Sequence, residues 1–287
     1  ACRFDLCALA LYLLVGIVVS VGMFTSFLGD PSNYMQEYDN VSHLGSIRCF
    51  VETGNWSPFS TSLYAGAADA AINPLPGGFY PTAWYNVAAF MVSLLDVPIP
   101  LSENAANFVF VALALPASMF AFMRIVFQER RDIVCWGAAC APMFSAFPWM
   151  LLAWGPLFPN TSAYCLLPLV AALFVAILRT GVSRRERICA GALFVIGVIA
   201  LALAQPNAVF VVAVWLIPFC IYRAAIAADL LRREGAAKWW LRILFAVVAA
   251  VLICIIWWVV YHLPFLSAVV EHSWGAAQYP LEAVLHT

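Results

Sequence analysis

One short stretch of the sequence gathers several reactive residue types: Glu37-Tyr38-Asp39-Asn40-Val41-Ser42-His43. Asp39 and His43 are four apart, and share a face if the chain is helical from Asn40 onward. The apolar positions Val41, Leu44, Ile47, Phe50 and Val51 suit such a helix, and Gly54-Asn55 would end it. Asp39 would then stand at the helix N-terminus. A carboxylate there can be a plain N-cap. It can equally take a proton from an acceptor hydroxyl, or hold a divalent cation. Arg48, on the same helix, either snorkels to lipid or binds the phosphate of a lipid-linked substrate.

Two proline-centred breaks interrupt long apolar runs: Trp154-Gly155-Pro156-Leu157-Phe158-Pro159-Asn160 and Gln205-Pro206-Asn207. Either they simply reverse the chain, or their amides and carbonyls line a wet cavity, where non-helical backbone is tolerated at such depth.

The composition decides what must position these residues. Apolar residues make up 65% of the 287, and only 10% are charged, against roughly 25% in soluble proteins. That excludes a cytosolic enzyme, a disordered chain and a secreted disulfide scaffold, and leaves a polytopic membrane protein. A net charge of −1 gives no basic field, so nucleic acid is not an expected partner. The nine Cys show no Cys-x-x-Cys spacing and read as small apolar residues.

The fold expected is an all-α membrane protein of about seven transmembrane helices, at 6–29, 104–127, 133–153, 161–178, 188–204, 207–223 and 243–262. A long first outer loop, 30–103, would hold two interfacial helices, and 263–287 would form an outer tail. The second interfacial helix is Thr82 to Leu95, with Trp84, Val87, Met91 and Leu94 at helical spacing in a stretch too short to span. With that stretch lying on the membrane, 13 of the 14 basic residues fall on one side; only Arg48 is on the other. The positive-inside rule then sets the N-terminus in the cytoplasm of a multipass plasma-membrane protein. All four His and nine of the fifteen acidic residues fall outside. The single transmembrane module is expected to be the N-terminal part of a longer protein.

The order of motifs resembles the membrane module of the GT-C glycosyltransferases, and more closely a poorly characterised actinobacterial multipass family near that class. The residues carrying the likeness are Tyr38-Asp39-Asn40-x-x-His43, Glu52-x-Gly54-Asn55, Tyr80-Pro81-x-x-Trp84, Trp154-Gly155-Pro156-Leu157-x-Pro159-Asn160 and Gln205-Pro206-Asn207. The resemblance implies an enzyme that moves a sugar from a polyprenyl-phosphate donor to a glycan, lipid or protein acceptor on the outer face, with inversion. It implies Asp39 as catalytic base, with His43 beside it, and substrate contacts from Arg48, Glu52, Trp154, Asn160, Gln205 and Asn207. Glu37 and Asp39 would be the ligands of any divalent cation, Mg²⁺ or Mn²⁺. Membrane lipids complete the expected partners. The competing expectations are a transporter or flippase of lipid-linked sugars, or a non-catalytic assembly protein. A transporter calls for charged residues at midmembrane, and nearly every charge here falls at a span end or in a loop.

Overall fold

The computed structural model describes residues 3–63, 75–76, 78–233 and 240–263. It is helical apart from one antiparallel ribbon of two short strands, β1 (Ser62–Leu63) and β2 (Leu75–Pro76). The first unit runs to Ile226. Its first helix, α1 (Arg3–Leu28), is followed by α2 (Tyr38–Thr53) and α3 (Ala83–Leu95). A long helix follows as α4 (Ile99–Val109), a π-helical stretch Phe110–Ala114, and α5 (Leu115–Val126). Then come α6 (Arg131–Cys140), a kinked stretch Ser145–Met150 with extended backbone at Phe147, and the single turn α7 (Leu151–Ala153). The remaining helices of this unit are α8 (Phe158–Ile177), α9 (Arg184–Ala204) and α10 (Asn207–Arg233), which continues past the unit's end. The second unit begins at Ala227 and contains α11 (Trp240–Tyr261). The expected outer tail lies, from residue 264, outside the described residues.

Six helices among the described residues are long and apolar enough to cross a membrane: Arg3–Leu28, Ile99–Val126, Arg131–Ala153, Phe158–Ile177, Arg184–Ala204 and Asn207–Ile226. The protein is thus a multipass, membrane-type helical protein. The expected seventh span coincides with α11, whose described apolar stretch is Ile243–Val259.

Two ends of the first unit are chemically distinct. At one end Arg124 Nε donates to Asp5 Oδ1 at 2.6 Å, Arg179 Nη2 donates to Gln128 Oε1 at 2.5 Å, and Arg131 lies 5.1 Å over the Phe4 ring. These contacts tie the N-terminus to the loops after α5 and α8, so the arginine groups of 3, 124–131 and 179–187 share one end. Ser183 and Glu186 start α9 there with a capping box. At the other end Asn104 Nδ2 donates to the carbonyls of Pro31 and Asn33 at 2.9 and 2.6 Å. With about 1.5 Å of rise per residue, the 26 residues of α1 hold these ends about 39 Å apart. The 13 residues of α3 reach only about 20 Å, too short for a hydrocarbon core of about 30 Å.

Three expectations need correction. Helix α4 starts at Ile99, five residues before the expected span, so Ser102 and Glu103 are helical and buried rather than part of a loop. Pro100 in its first turn supplies the start that a search bounded by charged residues overlooks. Val41 is 71% exposed, and α2 buries Ile47, Cys49 and Phe50 instead. Helix α3 turns Trp84, Tyr85, Ala88 and Ala89 toward the protein, while Leu94 is exposed. Its apolar face packs on α2, α4 and Phe158 of α8, because Phe50, Ala106 and Phe158 offer it a dry surface.

Candidate functional site

The first-loop helix forms where the pattern places it. Glu37 is the N-cap residue, with extended backbone and no side-chain cap bond, and Asp39 falls in the first turn. Asp39 is therefore not the cap. A carboxylate in the first turn still gains from the partial positive charge of the helix N-terminus. Gly54 ends α2 in the left-handed region (φ 67°), its amide donating to the Phe50 carbonyl.

One turn along from Asp39, His43 is buried, and both ring nitrogens are engaged. Nε2 donates to the Pro156 carbonyl at 2.8 Å, so Nδ1 accepts from the Tyr85 hydroxyl, also at 2.8 Å. Tyr80 donates in turn to the Tyr85 oxygen at 3.1 Å. The His43 ring lies 5.4 Å from Trp84 and 5.3 Å from Phe158, centroid to centroid. Burial holds the imidazole below its ordinary 6.5, with the Pro156 carbonyl and the Asp39 charge working the other way. Burial likewise pushes the Tyr85 phenol well above 10, and the nearby Asp39 charge adds to this. Three chain segments thus meet at one neutral histidine: α2, α3 and the turn at Trp154–Leu157.

The other sequence-chosen residues divide into near and far. Pro156 belongs to the break chosen from sequence, yet Trp154 itself is 75% exposed. Asn160 is half-buried in the first turn of α8. Gln205 caps the end of α9, and Asn207 opens α10 with its Oδ1 buried and without a hydrogen-bond partner among the described residues. Ala83, at the start of α3, packs on the buried cluster to which Ala204 and Ala208, on either side of that break, belong. Arg48 and Glu52 are joined by a 2.7 Å ion pair on the exposed side of α2. Arg48 is nine residues beyond Asp39, about 13 Å along the helix axis. The structure does not bring this pair to the Asp39 end.

No group of three or more His, Cys, Asp or Glu could hold a metal among the described residues. Glu37 is exposed and Asp39 half-buried, on either side of Tyr38. Two carboxylates are too few for a protein cage. They would suffice only for a cation shared with substrate phosphates, the usual manner of Mg²⁺.

Sequence reasoning missed Tyr85, Asn40, Glu103 and Asn107. Trp84 Nε1 donates to Asn107 Oδ1 at 3.0 Å. Asn40 is fully buried, its amide donating to the Met35 carbonyl at 2.9 Å. Glu103 is 1% exposed, with Oε2 unpartnered. The signal available was the polar run Ser102-Glu103-Asn104-x-x-Asn107 leading into an apolar helix, with Glu103 and Asn107 four apart.

Neither a curated protein nor a solved structure matches the chain. One family model does match, over residues 1–287: the chain belongs to DUF6541, a family of unknown function.

Proposed function

We propose that this protein is a membrane glycosyltransferase that transfers a sugar from a polyprenyl-phosphate donor to a cell-envelope acceptor on the non-cytoplasmic face. The observation that carries the reading is the convergence of α2, α3 and the Trp154–Leu157 turn on buried His43, one turn from Asp39. This convergence lies at the end opposite the arginine clusters, which the positive-inside rule assigns to the cytoplasm. The likeness of the five motifs to GT-C modules supplies the chemistry.

In this reading Asp39 accepts the proton of an acceptor hydroxyl. The hydroxyl oxygen attacks the anomeric carbon, the bond from that carbon to the phosphate oxygen breaks, and the lipid phosphate leaves with the electron pair. Displacement from the far side inverts the anomeric centre. His43 acts as a positioning residue, because both nitrogens are already bonded: it locks the first turn of α2 to the Pro156 turn. Arg48, paired with Glu52 and distant along α2, has no role at the reacting atoms.

The test uses membranes carrying the full-length protein, supplied with polyprenyl-phosphate hexoses and pentoses labelled in the sugar. Transfer into the membrane fraction is expected to be lost in D39N and kept in D96N, an exposed carboxylate at the end of α3. Equal transfer by D39N and the wild type would remove the proposal.

A further inference from the structure

A groove of about 290 Å³ lies at the same end of the first unit. It is close in size to the smallest of ordinary small-molecule sites, about 300 Å³. Its walls are Met23, Phe24 and Phe27 from α1, with Trp149, Met150 and Phe158 facing them. Among the described residues no Lys or Arg lines it; its polar members are Glu103, Asn104, Asn107 and Ser145. Two of the helices that build it depart from regular α geometry next to the groove. The helix bearing Glu103 widens into a π-helical stretch at Phe110–Ala114, and the facing wall comes from the kinked Ser145–Met150 stretch. Such irregular turns gather at functional sites.

The polar floor is unbalanced. Glu103 is 1% exposed, and its Oε2 is buried with no hydrogen-bond partner among the described residues. Buried acceptors of this kind are expensive unless something supplies them with donors. A phosphate would bring acceptors and negative charge to a groove in which no described Lys or Arg can balance it. A quaternary ammonium brings charge without a donor. A hydroxyl serves either state of Glu103: it donates to a carboxylate, and accepts from the group if it carries a proton. Adjacent hydroxyls, as on a sugar or glycerol, have Asn104, Asn107 and Ser145 as further polar partners in the groove.

We propose that this groove binds a single-chain lipid with an uncharged, hydroxylated head, whose hydroxyls meet Glu103 Oε2 while its chain lies between Phe24, Phe27 and Met150. The site stands on the groove and its unpartnered acceptor, and does not depend on sugar transfer.

The test reads binding alone. The full-length protein in phosphatidylcholine nanodiscs is irradiated with a dodecyl chain bearing a diazirine and ending in glucose. Parallel samples carry the same chain ending in phosphate or trimethylammonium. The glucoside is expected to cross-link the α1 segment around Met23–Leu28 at least tenfold more than either charged probe. E103L, which removes the acceptor, and M150W, which fills the groove without touching it, are each expected to lower that yield at least tenfold. Equal labelling by the three probes, or undiminished glucoside labelling in either variant that elutes as the folded protein, overturns the proposal. If E103L does not fold, probe selectivity on the wild type and M150W still decide the outcome.

Discussion

His43 Nε2 and the Pro156 carbonyl, 113 residues apart in sequence, are joined by a 2.8 Å hydrogen bond in the protein interior. With Tyr85 on the other nitrogen, the imidazole is a rivet between the first-loop helix and the turn before α8. An H43F variant keeps an aromatic ring of similar breadth and leaves the buried Pro156 carbonyl without its donor, while the Tyr85 hydroxyl keeps only Tyr80. A buried polar group left unpaired costs about 1–3 kcal/mol. Thermal unfolding in nanodiscs should show a lowered midpoint for H43F, and a smaller drop for Y80F, which loses only the outer bond of the chain. A midpoint unchanged in H43F would remove the rivet.

The same ring carries a pH dependence. Burial holds His43 below 6.5, so the folded protein resists a proton that the unfolded chain accepts there. Below pH 6.5 the unfolded state therefore binds more protons, and stability falls as pH falls; above that value the contribution is fully present. The slope from one group is at most about 1.4 kcal/mol per pH unit. Denaturation midpoints between pH 7.5 and 5.5 should decline more steeply in the wild type than in H43Q. Parallel profiles would show that His43 is not the group responsible.

Much of this was legible from local signals, and the rest was not for a physical reason. Gly54, in its left-handed cap, marks the end of α2 in the sequence as clearly as in the fold. The length of the Thr82–Leu95 stretch already ruled out a span, and the contacts Asp5–Arg124 and Arg179–Gln128 bring the arginine groups to one end, as the charge count required. The burial of α2 and α3 was only half readable. Val41 and Leu94 fit a helical period as well as Ile47 and Trp84 do, and only the neighbours supplied by α4 and α8 choose between the faces. Glu103 is hidden in the sequence because a charge marks the edge of an apolar run, whereas in the fold the surrounding structure buries it. The His43–Tyr85–Pro156 chain links positions 42 and 113 residues apart and leaves no periodic trace.

Sidedness is open to direct labelling. Ser60 is exposed near the ribbon that follows α2, and Thr180 is exposed in the turn between α8 and α9. In a background with all nine cysteines replaced, S60C should react with a membrane-impermeant maleimide on intact cells. T180C should react only after permeabilisation. The opposite pattern would place the arginine end outside and move Asp39 to the cytoplasmic face.

Close helix approach gives the last prediction. A Cβ on Gly16 of α1 would collide with the Pro116 ring and come within 2.7 Å of the Ala112 carbonyl oxygen. A Cβ on Gly137 of α6 would collide with the Tyr12 hydroxyl, which is already held by its 2.8 Å bond to the Val134 carbonyl. Neither obstacle is the free end of a flexible chain, so the helices must separate to admit the methyl. Small residues at such crossings are what let helices pack in a membrane without a hydrophobic drive between them. Overpacking costs about 1–3 kcal/mol, and G16A and G137A should each lower the unfolding midpoint accordingly. Gly22 and Gly191 meet nothing within 4 Å. There the methyl only restricts the unfolded backbone, and alanine is favoured by about 0.5–1 kcal/mol in a helix. G22A and G191A should therefore be neutral or stabilising. If all four variants shifted alike, helix propensity rather than close packing would govern these positions, and the tight α1–α5–α6 contact would have to be abandoned.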